Sequence, residues 1–199
     1  MKDNGIDNAE KLQQYFISRI EQYLNSKGRR LIGWDQITSK TLEKSSIVIS
    51  YQGTAPAIQS ARTGNDVILA PNVNCYFDYY QSNSPDEPEA IGGLVTLKSV
   101  YSLNPKLSNL TTKQQKHILG AEACLWTEFV KTDKHAEYMT FPRICALAEV
   151  VWTPANKRNW GDFENRIAAH YERFDRLGVN YRRYRSKNVF EPESTTSGL

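Results

Sequence analysis

The chain has 199 residues, 40% hydrophobic and 24% charged, with a formal net charge of +3. That is ordinary globular composition, long enough for one sizeable core. So small a charge excess points to neither a nucleic-acid nor a membrane partner, and no apolar run reaches the length of a membrane span.

Residues 8–27 are expected to form a helix, because Leu12, Phe16, Ile20 and Leu24 recur every fourth position with Tyr15 and Tyr23 beside them. Asn8 suits its start and Gly28 its stop. A short strand over 30–34 ends in the pair Trp34-Asp35, whose two side chains should then point to opposite faces. After a polar connection, 47–51 reads as a β-branched strand ending in Tyr51-Gln52-Gly53. An Ala-rich helix over 55–63 is closed by Gly64-Asn65, and the next strand, 66–70, opens into a long loop that holds Tyr76-Phe77-Asp78-Tyr79-Tyr80-Gln81.

The stretch 82–89 is turn-rich and acidic, and 92–108 predicts an extended segment with a short helix around Leu97, Val100 and Tyr101. A fourth strand over 118–125 leads into Trp126-Thr127-Glu128. A strong helix is expected over 134–151, with Pro142 in its first turn or at a kink. The last helix, 163–177, carries Phe163, Ile167, Phe174 and Leu177, and Gly178 stops it. The basic run from Tyr181 to Lys187 reads as a solvated tail rather than a platform for single-stranded nucleic acid. The domain is expected to occupy 1–185, and 186–199 to be disordered.

Cys75, Cys124 and Cys145 are odd in number, lack C-x-x-C spacing and lie among apolar residues. They read as buried free thiols, not as a disulfide frame or a zinc site. His117, His135 and His170 are scattered over predicted helices without metal-ligand spacing. Neither a metal nor a cofactor is expected. Met1-Lys2-Asp3-Asn4-Gly5 runs straight into the first helix and does not read as a signal peptide.

Strands alternating with helices imply parallel βαβ units and an α/β fold. Aromatic and acidic residues recur just after the strands, where barrel enzymes carry their sites. Four strands against the eight of a full barrel make this half of a (β/α)8 barrel. Trp126 and Glu128, two residues apart on an extended segment, share a face. An indole packs on the apolar face of a pyranose, and a carboxylate accepts hydroxyl hydrogen bonds. Trp34, Tyr51, and Tyr76 with Asp78 repeat this pattern. Together they suit one sugar residue better than a phosphate or nucleotide: no phosphate-binding Gly-rich loop and no Ser-His-Asp or Cys-His set is present.

Leu31-Ile32-Gly33-Trp34-Asp35, Tyr76-Phe77-Asp78-Tyr79-Tyr80-Gln81, Leu125-Trp126-Thr127-Glu128 and Phe141-Pro142-Arg143 through Ala148-Glu149-Val150-Val151-Trp152 resemble the second half of the catalytic domain of glycoside hydrolase family 20, the β-N-acetylhexosaminidases. The resemblance runs from about Ile6 to Arg183. It implies substrate-assisted, retaining hydrolysis of terminal β-linked N-acetylglucosamine or N-acetylgalactosamine, an exception to the two-carboxylate scheme. It makes Tyr76 the catalytic hydroxyl that donates to the acetamido oxygen, and Trp34 and Trp126 walls of the acetamido pocket. Asp78 and Glu128 would accept from ring hydroxyls.

Tyr51 stands where the family commonly has a Trp. The family's Asp-Glu acid pair precedes the matching region. Asp86-Glu87 lies in the wrong place and reads as a solvated turn. The general acid is therefore expected outside this chain, and the isolated chain is expected to be inactive. Its expected partners are an N-acetylated aminosugar glycan and either the missing N-terminal barrel half or a second copy of itself, within a secreted or periplasmic parent. The alternatives are a non-catalytic carbohydrate-binding module and a purely structural half-barrel.

Overall fold

Four short apolar runs pair side by side into one parallel sheet. The structure is a computed structural model and describes residues 6–38 and 42–184. Strands β1 (Ile32–Trp34), β2 (Ile47–Ser50), β3 (Asp66–Leu69) and β4 (Ile118–Ala121) follow one another across the sheet in chain order. The register aligns Trp34 with Ile49 and Ile49 with Ile68, so these side chains share one face. Val67 and Leu69 point the other way, into a core with Ala57 and Ala61 of helix α2 (Thr54–Thr63). Parallel neighbours joined by helices and added in one direction make half of a barrel.

The larger core lies beyond the strand ends. Helices α4 (Leu97–Tyr101), α7 (Arg143–Trp152) and α8 (Trp160–Leu177) enclose Phe77, Val95, Val100, Leu147, Val150, Phe163 and Phe174. Asn159 caps α8 by accepting from the Asp162 N–H at 3.0 Å, which starts this helix three residues before the expected point. The expected helix over 134–151 is two helices, α6 (Asp133–Thr140) and α7. Pro142 stands between them because it has no N–H to continue the ladder. Two single-turn helices also form, α3 (Asn72–Cys75) in a stretch read as loop and α5 (Thr112–Gln115) ahead of β4.

Helix α1 (Ala9–Ser26) forms as its pattern predicts, with Asn8 accepting from the Lys11 N–H at 2.9 Å. Its apolar stripe is nevertheless uncovered: Phe16 is 63% and Tyr23 62% exposed. What holds α1 is Glu21, a buried carboxylate that accepts from the Ser46 hydroxyl and the Glu43 N–H.

β4 stops at Ala121 and does not run on to Leu125. The register slips between Val67 and Ile68, leaving Leu119 as the extra residue, and the chain rejoins its neighbour at an isolated bridge between Tyr76 and Cys124. His117 sits just before β4, not on a helix, and bonds Asp66 at 3.0 Å; Arg30 holds the other Asp66 oxygen at 2.7 Å. His135 and His170 do lie on α6 and α8.

Two surface readings are corrected. Glu87 is not solvated: its carboxylate is 3% exposed and accepts from Ser82, Tyr138 and Arg182. The run Tyr181–Tyr184 is not a free tail, because Tyr181 stacks on Tyr171 with centroids 5.1 Å apart and Arg182 pairs with Glu87. The tail expected over 186–199 lies outside the described residues. All three cysteines are free, and burial pushes the Cys75 and Cys124 thiols up to about 12 and Cys145 to about 11.

Candidate active site

Each strand end delivers one part of the site. Trp34 closes β1 on the face it shares with Ile49. Asp35 does not continue the strand to the opposite face; it opens a 3-10 turn, Asp35–Ile37, and is buried. Its carboxylate accepts from the N–H groups of Tyr51 (3.1 Å) and Gln52 (3.0 Å) and from the Gln52 side chain (3.0 Å). The end of β1 thereby fixes the end of β2. On its other side the Tyr51 carbonyl accepts from the Asn72 N–H at 3.0 Å.

The segment after α3 carries Tyr76, Asp78 and Tyr79. Behind it lies Arg143, fully buried, whose guanidinium donates to the carbonyls of Phe77, Tyr79, Val95 and Met139. Two of those carbonyls flank Asp78, so one side chain sets the path of the loop. Gly93 has a φ of +66°, and a Cβ there would lie 2.3 Å from the Tyr79 ring. Only glycine lets the 91–95 segment lie flat on that ring. Trp126 and Glu128 come from the irregular segment beyond β4. Strand alternation therefore does not explain their shared direction; the Tyr76–Cys124 bridge anchors the segment instead.

The structure brings all six sequence-predicted residues, Trp34, Tyr51, Tyr76, Asp78, Trp126 and Glu128, to one pocket of about 420 Å³. Small-molecule sites commonly span roughly 300–1,000 Å³. The rings form a continuous arc. Trp126 lies 5.7 Å from Trp34, Trp34 5.7 Å edge-on from Tyr51, Tyr51 6.2 Å from Tyr76, and Tyr76 5.6 Å from Tyr79. Gln36, Tyr79 and Ile91 complete the lining and were not singled out from the sequence. Nothing in the alternation marks Gln36, which reads as an ordinary polar residue after a strand. Tyr79 sat in view within the Tyr76–Gln81 run.

Burial pushes the Tyr76 phenol up to about 12, and the neighbouring Cys124 adds to this while the Trp126 indole N–H works against it. Tyr76 is therefore a neutral donor at physiological pH. Desolvation raises the Asp78 carboxyl above its ordinary value; the Glu128 charge adds to the rise and the Arg143 charge opposes it. Asp78 is 4% exposed, and its Oδ1 has no hydrogen-bond partner among the described residues. That oxygen is enclosed, so the residue carries an unsatisfied acceptor next to the pocket it lines. No group of three His, Cys, Asp or Glu side chains suited to a metal gathers among the described residues, and no described helix is long and apolar enough to cross a membrane.

Residues 1–155 match the glycosyl hydrolase family 20 catalytic domain. A β-hexosaminidase of Porphyromonas gingivalis is 40% identical over 182 residues, covering 91% of this chain and 23% of that protein. A β-N-acetylhexosaminidase of Cellulomonas fimi is 29% identical over 157 residues, covering 77% of this chain and 32% of its own length. Among solved structures, the family 20 exo-β-N-acetylglucosaminidase of Vibrio harveyi in complex with N-acetylglucosamine superposes with a TM-score of 0.83 at 30% identity, over 92% of this chain and 29% of that one. The chain thus spans about a quarter to a third of the length of these relatives. An aromatic arc at the ends of four parallel strands, a buried carboxylate in the pocket lining and this match over most of the sequence place the chain in glycosyl hydrolase family 20, as half of its catalytic barrel.

Proposed function

We propose that residues 1–185 are the C-terminal barrel half of a β-N-acetylhexosaminidase that releases terminal β-linked N-acetylglucosamine or N-acetylgalactosamine. The observation that carries this reading is the convergence of five aromatic residues and two carboxylates on one pocket. The names of the relatives, β-hexosaminidases and a β-N-acetylglucosaminidase, support it. In this reading the rings of Trp34, Tyr51 and Trp126 wall the N-acetyl group. The neutral Tyr76 hydroxyl donates to the acetamido oxygen and holds it beneath the anomeric carbon. Asp78 and Glu128 accept from ring hydroxyls. The acetamido oxygen attacks the anomeric carbon while the glycosidic C–O bond breaks, and a proton from an acid outside this chain goes to the leaving oxygen. Water then opens the oxazolinium at the same carbon, and two inversions give retention.

General acid catalysis is typically worth about 10²–10⁴-fold, and Asp78 and Glu128 are assigned to ring hydroxyls, away from the leaving oxygen. The test is hydrolysis of a chromogenic β-N-acetylglucosaminide by the purified chain, alone and co-expressed with the upstream barrel half of the Porphyromonas gingivalis relative. The chain alone should be inactive, and the reunited barrel should turn over with retention. Robust turnover by the chain alone, abolished by Glu128→Gln, would overturn the assignment and make Glu128 the acid.

A further inference from the structure

Tyr51 is more than an aromatic wall. Its backbone is fixed on both sides, by the Asp35 carboxylate at its N–H and by the Asn72 N–H at its carbonyl. Its phenol oxygen accepts from the Gln36 side-chain amide at 2.6 Å. A phenol has one proton to give, and a lone pair occupied by an amide donor directs that proton elsewhere. Among the described residues no protein acceptor takes it, and Tyr51 and Gln36 both line the pocket. The Tyr51 ring lies nearly parallel to that of Tyr76, at 26° with centroids 6.2 Å apart, and the two phenols are within electrostatic reach of each other. Two O–H donors on adjacent rings suit one acceptor with two lone pairs, a carbonyl oxygen.

We propose that Gln36 turns the Tyr51 hydroxyl into a second donor, which acts with Tyr76 on the N-acyl carbonyl oxygen of the bound sugar. Tyr51 is then a ligand-binding residue and Gln36 a positioning residue. The proposal rests on the aminosugar reading above and adds to it the residues that select the acyl group.

The amide matters because it donates. Glu at position 36 would keep the shape but, ionised, would accept only, and would draw the Tyr51 proton to itself. The pair predicts a chemical selectivity that an apolar wall lacks. A ligand with an acyl oxygen should feel the change, and glucose, which lacks one, should not.

The test is ligand-observed NMR titration of the chain with N-acetylglucosamine and with glucose, for the unmodified chain, Tyr51→Phe, Gln36→Glu and the double variant. A lost neutral hydrogen bond should weaken N-acetylglucosamine about 2- to 10-fold in Tyr51→Phe and leave glucose unchanged. Gln36→Glu should produce the same selective loss and add nothing in the Tyr51→Phe background. Gln36 is exposed, so its variant reports even where Tyr51→Phe fails to fold. Unchanged N-acetylglucosamine affinity in Tyr51→Phe, equal losses for both sugars, or an effect of Gln36→Glu that persists without the hydroxyl would overturn the proposal and leave the aminosugar reading standing. Failure of the unmodified chain to prefer N-acetylglucosamine over glucose would instead defeat that reading itself.

Discussion

Arg143→Lys tests whether one buried guanidinium builds the pocket wall. The substitution keeps the positive charge and most of the volume, so the change is chiefly one of donor geometry. In the structure four carbonyls depend on the fork: Phe77, Tyr79, Val95 and Met139. An ammonium has three protons and can serve at most three of the four, so at least one buried acceptor is left bare, at a cost of about 1–3 kcal/mol. The ammonium is also more strongly hydrated than the guanidinium and loses more on burial. Burial already pushes the Arg143 pKa down to about 9, a sign of how dry the site is. A loss of about 2 kcal/mol, divided by a urea slope of roughly 2 kcal/mol per M, lowers the unfolding midpoint by about 1 M. The assay is urea denaturation followed by near- and far-ultraviolet circular dichroism. A midpoint within roughly 0.3 M of the unmodified chain, with an unchanged slope, would refute the reasoning.

Asp78→Asn should separate stability from binding. Its folded pKa is raised, so the group contributes stability that is fully present below 3.8 and lost as pH rises through the folded value. At pH 7, well above the unfolded value, the carboxyl is a liability, and the Asn variant should show a higher urea midpoint there, an advantage that vanishes below pH 3.8, together with weaker sugar binding. Trp126→Ala should weaken N-acetylglucosamine by about 1–3 kcal/mol, whereas Tyr101→Ala should not, because Tyr101 packs on Trp160 and Phe163 and bonds Glu149 outside the pocket. Calorimetry giving equal losses would remove Trp126 from the site. The isolated chain should self-associate through the bare stripe of α1, and Phe16→Lys should reduce this in sedimentation runs; a sharp monomer at micromolar concentration would count against it.

The sheet was legible because β-branched runs at Ile47–Ser50 and Asp66–Leu69 leave little else for the chain to do. The positions of the six pocket residues were legible because they follow strands, and strand ends in such folds converge. Where the reading failed, tertiary geometry outweighed local pattern. Nothing before Gly120 announces the register slip inside β4. The stripe across Pro142 continues in phase, so the apolar pattern alone hid the break between α6 and α7. Arg143 and Glu87 look like surface charges, and only the partners gathered around them, from residues distant in sequence, show why they are buried. Gln36 carries no signal without the Tyr51 hydroxyl beside it.

The lone bridge between Tyr76 and Cys124 ties the two loops of the pocket together beyond the ends of the strands. Its two hydrogen bonds, Cys124 N–H to the Cys75 carbonyl at 2.8 Å and Phe77 N–H to the Cys124 carbonyl at 2.6 Å, join them backbone to backbone. The segment that carries Trp126 therefore cannot part from the segment that carries Asp78 unless both bonds break, so the two are held at a fixed separation by main chain alone.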